Sequence, residues 1–401
     1  MHDPLREANE LREQLSSDKR RIAFLFGAGT SLSVGLPGIA ALTMAVGNEL
    51  SGDDKAHYDR LLKESGNAAN VEHVLDKVRL CRELIGASTD AEAGGLKGIA
   101  AANLDRGVCR AIFKLVSGNP PQGLEPHIRF ANWVRFIRRE WPIEIFTTNY
   151  DVLIERALEI AETPHFDGFV GSVKPSFSNV TVEAEPTKSY EAVYPPRSWV
   201  RVWKLHGSIG WRATEDTKTK ARRIIRTYGV APTVDDDLLI FPSRQKYSDS
   251  RKLPFVAYHD RLRRLLSSGE TLLVIIGYSF SDEHINEIVF EALRNNPRLA
   301  IAALAYDTLS NASAITIPVE LARTLRNFSI YGPDRACLAG IVANWSSPSK
   351  SPVPPLAQWP FWDGKMFTLG DFKVFTEFLT VFFSGAGSAA AGSPASPPAT
   401  P

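Results

Sequence analysis

The sequence predicts an α/β chain built on a doubly wound, mostly parallel sheet, with a helical insertion and a small β excursion free of zinc ligands. Three observations predict it. Apolar runs of strand length alternate with stretches of helical periodicity between residues 21 and 331. The apolar fraction, 44% of 401 residues, suffices for a full core. Four polar turns, at 27–31, 147–151, 206–208 and 277–282, each follow the carboxyl end of a predicted strand. In an open parallel sheet those ends share one edge, and ligands bind there.

The elements follow in order. Residues 4–17 read as a short charged helix at a surface or interface, and 1–20 stand apart from the domain that follows. Residues 21–26 are a buried strand, and 38–50 a helix starting beside the loop. From 55 to 117 the pattern is helical, with no strand evident. Val71, Val74, Leu75, Val78 and Leu84 fall at three- and four-residue spacing and mark an amphipathic face. This region reads as an insertion covering the cleft. Residues 127–140 form a helix, 143–147 a strand and 151–161 a helix. The stretch 162–198 looks irregular. A strand at 199–205 leads into the β excursion at 209–240. A helix at 254–267 precedes the fully apolar strand 271–276, of the kind buried on both faces. Helices near 282–294 and 313–325 then alternate with strands at 299–305 and 326–331. The aromatic segment 332–383 is a C-terminal element that packs on the domain or forms an interface. The Ser-, Gly-, Ala- and Pro-rich tail 384–401 cannot bury enough apolar surface to order itself.

Composition narrows the function classes. A net charge of +1 gives no electrostatic case for direct nucleic-acid binding. Cys81, Cys109 and Cys337 are far apart and form no C-x-x-C, so neither a zinc module nor a disulfide framework is expected. No apolar run reaches the roughly 18 residues of a membrane span, and the charged N-terminus has no signal-peptide core. The expectation is a soluble cytoplasmic protein.

The chemistry centres on the turns. Gly27-Ala28-Gly29-Thr30-Ser31, then Gly35-Leu36-Pro37, closes the first strand as phosphate-binding loops do in Rossmann-like sheets. Leu32 replaces the third glycine of G-x-G-x-x-G. Glu49, at the spacing of a dehydrogenase ribose acid, lies in a predicted helix. Asn149 offers an acceptor and two donors but could equally cap a helix. Asp151 has the same two readings. His206 ionises near neutrality in model peptides and suits a general base, or it is a buried core histidine. Ser281 and Asp282 read as caps of the next helix, and His127 has no partner pattern.

Taken in order, the glycine loop, Thr147-Thr148-Asn149-Tyr150-Asp151, Lys204-Leu205-His206-Gly207-Ser208 and Gly277-Tyr278-Ser279 resemble the sirtuin superfamily. The resemblance is closer to the sirtuin-like NAD hydrolases of bacterial anti-phage defence than to protein deacylases. The zinc cysteines are missing from 209–240, and the deacylase Gly-Ile-Pro-Asp-Phe-Arg turn reads Gly35-Leu36-Pro37-Gly38-Ile39-Ala40. The resemblance implies NAD as substrate and a catalytic domain over 21–331. It implies Asn149 and His206 as catalytic residues. NAD contacts would come from Gly27, Ala28, Gly29, Thr30, Ser31, Pro37, Thr148, Asp151, Gly207, Gly277 and Ser279, with no metal. Asp151 would accept from the nicotinamide carboxamide. It also implies a homo-oligomer and a pairing with a HerA-type hexameric ATPase. An NAD-dependent deacylase and a non-catalytic NAD or ADP-ribose sensor are the alternatives.

Overall fold

A computed structural model describes residues 1–86, 88–183, 195–215, 222–240, 253–310, 315–348 and 360–384. The predicted disordered tail falls outside the described residues except for Ser384.

Among the described residues the central sheet has nine strands. From one edge their order is Ile341–Asn344, Arg335–Leu338, Phe328–Tyr331, Leu299–Leu304, Thr271–Ile276, Arg21–Phe26, Glu144–Thr147, Val200–Lys204 and His165–Phe166. All neighbours are parallel except the last two pairs at the Ile341–Asn344 edge, which are antiparallel. The expectation of a parallel-dominated α/β sheet therefore holds. The sheet does not end near 331, because a tight hairpin adds two strands that alternation with helices could not announce.

Successive side chains of a strand point to opposite faces, and here they feed two separate cores. Ile22, Phe24 and Phe26 join one cluster with Leu272, Val274 and Ile276. Ala23 and Leu25 join the other with Leu273 and Ile275. The sheet is thus covered on both sides, as its apolar strands require.

The first core is completed by both ends of the chain. Helix Pro4–Ser16 buries Ala8, Leu11 and Leu15 against this core and leaves its charged face, with Arg6, Glu10 and Glu13, exposed. Helix Phe372–Ser384 lays Phe372 against Phe26 and Phe130, and Phe375 against Phe24. Arg129 and Glu377 pair at 2.8 Å across this contact. Of the aromatic C-terminal segment, this described helix packs on the domain core, while 349–359 lie outside the described residues.

Residues 52–116 carry helices Gly52–Glu64, Val71–Ile85 and Gly98–Val116, plus a two-residue hairpin, Glu92–Ala93 with Leu96–Lys97. Val71, Val74, Leu75 and Val78 are buried as expected, but Leu84 is 72% exposed. Cys81 and Ile85, three and seven positions after Val78, continue the stripe instead. Ion pairs tie these helices together and to the neighbouring sheet. Asp105 is buried between Arg79 at 3.2 Å and Arg82 at 2.6 Å, and Arg106 meets Asp237 at 3.0 Å.

The β excursion is a five-stranded antiparallel sheet. Gly207–Glu215, Arg222–Arg226 and Asp237–Ile240 form it with Phe169–Val170 and Ser176–Phe177. The last two strands, like His165–Phe166, lie in the stretch that reads as irregular, because two residues are too few to show a period of two.

Candidate active site

Four consecutive strands of the central sheet end at one level. Phe26 is in register with Ile276 on one side and Thr147 on the other, and Thr147 is in register with Lys204. The four polar turns therefore leave the same edge side by side. Thr148 N–H donates to Phe26 O at 3.0 Å and Leu205 N–H to Thr147 O at 2.8 Å. Farther out, Ile209 N–H donates to Tyr150 O at 2.9 Å. Asn149 and His206 lie within the neighbouring segments that these last two bonds bracket.

The glycine loop turns directly into a short helix, Ala28–Leu32, so this helix, not Ile39–Glu49, starts at the strand end. Neither Gly27 nor Gly29 has a positive φ. Their glycine character has a different cause. A Cβ on Gly27 would lie 2.4 Å from Gly277 O, and one on Gly29 would lie 2.5 Å from Gly277 Cα. Gly277 itself has φ +67°, and a Cβ there would meet Thr30 N at 2.6 Å. Gly29 N–H donates to Gly277 O at 2.9 Å, which locks the two turns together. Gly207 likewise has φ +79°, with the strand Asp237–Ile240 backbone pressed against its α-carbon.

Asn149 Nδ2 lies within hydrogen-bond distance of three acceptors on the glycine loop: Gly27 O at 3.1 Å, Thr30 Oγ1 at 2.9 Å and Ser31 Oγ at 2.9 Å. Ser31 Oγ donates to Asp151 Oδ2 at 2.6 Å, and Asp151 Oδ1 accepts from Leu153 N–H at 3.1 Å. Asp151 thus braces the turn into helix Leu153–Ile160, whose N-cap position is Val152, and also belongs to the polar network. Lys204 Nζ donates to the Asp151 carbonyl and pairs with buried Glu155 at 3.0 Å. These bonds fix the turn from beneath.

His206 stands at the far side of the edge, with Nε2 2.8 Å from Asp282 Oδ2. Asp282 Oδ1 also accepts from Ile285 N–H at 3.1 Å as the cap of helix Glu283–Asn295. The His206 hydrogen bond and charge hold the Asp282 carboxyl well below the ordinary carboxylate range, against the opposing effect of burial. With an ionised carboxylate at Nε2, the neutral ring keeps its proton there and its lone pair on Nδ1. Sequence reasoning reads Asp282 as a cap alone. The signal that would have found it is the turn itself, an acid six residues beyond a strand, Thr271–Ile276, that ends at the same sheet edge as the His206 strand with two strands between them.

Other expected site residues are placed less tightly. Ala28 and Ser279 are exposed, and Ser279 Oγ meets Ser281 Oγ at 2.9 Å. Thr148 and Pro37 are half-buried. No hydrogen bond is described between Asn149 and His206.

His127, absent from the expected site, lines a small cavity with Phe26, Thr30, Thr147, Asn149, Asp151, Ile154 and Lys204. Burial pushes its imidazole down to about 4, with the Asp151 charge acting the other way. A folded pKa below the unfolded value means the unfolded chain binds the proton first as pH falls. Stability from this group is full above about 6.5 and is lost as pH falls toward about 4. Melting temperature should therefore drop less between about pH 7 and pH 5 in His127→Phe than in wild type.

Among the described residues, no group of three or more His, Cys, Asp or Glu side chains could hold a metal ion. Nor is any helix among them long and apolar enough to cross a membrane.

No curated protein matches the chain. Among solved structures, a Sir2 homologue in complex with NAD is 14% identical, with 80% of this chain and 87% of that chain covered and a TM-score of 0.35. A Sir2–p53 peptide–NAD+ complex is 15% identical, with 74% and 85% covered and a TM-score of 0.37. Residues 143–318, which carry Asn149, Asp151, His206, Gly277 and Asp282 but not the glycine loop, match the model of the SIR2-like domain.

Proposed function

We propose that this protein hydrolyses NAD to nicotinamide and ADP-ribose. The observation that carries the reading is the shared level of the four strand ends. It sets the Asn149 network and the His206–Asp282 pair on one edge, beside a locked glycine loop. The ordered motif resemblance and the SIR2-like match over 143–318 support NAD as the substrate.

The chemistry follows from these groups. The glycosidic C–N bond breaks with its electron pair going to the pyridinium nitrogen, so nicotinamide leaves neutral and needs no proton. Positive charge grows on the anomeric carbon, and water adds there. His206 Nδ1 takes the water proton and releases it to solvent, while Asp282 stabilises the imidazolium between these events. Asn149, with its amide nitrogen committed to the glycine loop, presents its Oδ1 to a ribose hydroxyl or to the attacking water. Orientation and exclusion of solvent supply the rest.

Hydrolysis is favoured over deacylation by the missing Asp-Phe-Arg turn at 38–40 and by the absence of the zinc cysteines from 209–240. Incubation with NAD alone tests this: nicotinamide and ADP-ribose should accumulate in equal amounts without any acylated peptide. Release that requires such a peptide identifies a deacylase. Binding without turnover identifies a sensor.

We extend the reading to depletion of cytoplasmic NAD in anti-phage defence. Such an activity needs restraint, which self-assembly or a HerA-type hexameric ATPase would supply. The motif resemblance supports this extension.

A further inference from the structure

We propose that Asn286 is a positioning residue that sets the Asp282 carboxylate against His206, an assignment that takes its catalytic meaning from the NAD-hydrolase reading above. The turn from strand Thr271–Ile276 to helix Glu283–Asn295 has to deliver Asp282 to a histidine that follows another strand of the sheet. It does so through Phe280, which has φ +56°. A bulky side chain at such a φ is rare and costly, and the conformation persists only where the surroundings hold it.

Two contacts hold it. The Phe280 ring is buried, 5.1 Å between centroids from Tyr278 and stacked on Phe290 at 6.4 Å. The Phe280 carbonyl accepts from Asn286 Nδ2 at 2.7 Å, while Asn286 Oδ1 accepts from Tyr278 Oη at 3.0 Å. Tyr278 Oη also lies 3.2 Å from the Asp282 carbonyl. One amide, with a donor and an acceptor, thus reaches back from the helix and grips the turn at residues 278 and 280. The ring anchors the turn in the core. The amide sets the direction in which the backbone leaves Phe280, two residues before Asp282. The two Asp282 oxygens then divide their partners: Oδ1 accepts from Ile285 N–H within the helix, and Oδ2 meets His206 Nε2 at 2.8 Å. The cap bond is local and forms wherever the helix starts. The histidine contact requires the helix to start at one place relative to the sheet edge, and Asn286 ties the helix to the turn that leaves that edge.

The test uses the full chain and two readouts: kcat for nicotinamide release from NAD, and the His206 Nε2–H resonance in protein labelled with 15N-histidine, assigned by its absence from His206→Ala. Wild type should show the resonance and Asn286→Ala should lose it. Asn286→Ala should also lower kcat about 10- to 100-fold, the scale of a small misplacement of catalytic groups. In an Asp282→Asn background the same substitution should cost less than about threefold, because the contact it serves is already altered. A residue that merely braced the helix would leave the resonance in place and lower the rate by the same factor in both backgrounds, and either result overturns the proposal. If Asn286→Ala does not fold, Tyr278→Phe carries the test, since it deletes one hydroxyl and keeps the ring: faster exchange of the resonance with a non-additive loss of rate supports the proposal, and no change in either overturns it. A wild type that shows the resonance but releases no nicotinamide overturns the hydrolase reading, and the resonance then decides the positioning alone, which stands if Asn286→Ala loses the signal and falls if it keeps it.

Discussion

Asn149→Ala should lower nicotinamide release from NAD at least a hundredfold, the scale on which losing one positioned polar group in an active site is felt, about 10²–10³. The substitution acts twice. It removes the carbonyl proposed to hold the ribose or water. It also leaves the Gly27 carbonyl and the Thr30 and Ser31 hydroxyls without the amide that gathers them. The second effect should cost about 1–3 kcal/mol of stability. Single-turnover nicotinamide release alongside thermal unfolding separates the two. A variant that melts lower but cleaves NAD within a few-fold of wild type would reduce Asn149 to a loop brace.

The second large effect belongs to Asp282. Asparagine is itself a good N-cap, so Asp282→Asn should keep the bond from Ile285 N–H and the start of its helix. What it loses is the negative charge on His206. An amide at Nε2 no longer fixes the tautomer or stabilises the imidazolium, and rate losses of about 10²–10⁴ follow from such changes in His–Asp pairs. The expected outcome is a fall in kcat of that size, with little change in melting temperature. His206→Ala should lose at least as much, and the double variant no more than His206→Ala alone. Additive losses would mean that the two side chains act independently.

What the sequence discloses about the site depends on how local each signal is. The Gly27, Asn149, His206 and Gly277 turns are legible because each is a polar or glycine-rich break directly after an apolar strand, and that coupling is visible within ten residues. The reason for the glycines is not. Gly27 and Gly29 look like loop-forming residues, whereas they are needed because the Gly277 backbone lies against them, a contact across some 250 positions. Asp282 serves as both cap and histidine partner, and the cap explains its type fully, which hides the other role. His127 sits in the first turn of a helix with nothing nearby to mark it; only the folded chain brings it to Asn149 and Asp151. In the fold, the long apolar strands and helices are readable, while two-residue strands and the closing hairpin at 335–344 are not. Leu84 illustrates the limit of spacing rules, since it sits six positions after Val78, off the stripe that Cys81 and Ile85 extend.

The common level of Phe26, Thr147, Lys204 and Ile276 has a consequence for how activity can be gained or lost. The walls of the cleft come from strands as far apart in the chain as residues 26 and 276, and each strand is held in register by its neighbour's backbone. On the proposed reading the site is complete only when all four strand ends and Asp282 are in place, so a chain cut short before residue 282 should not release nicotinamide from NAD.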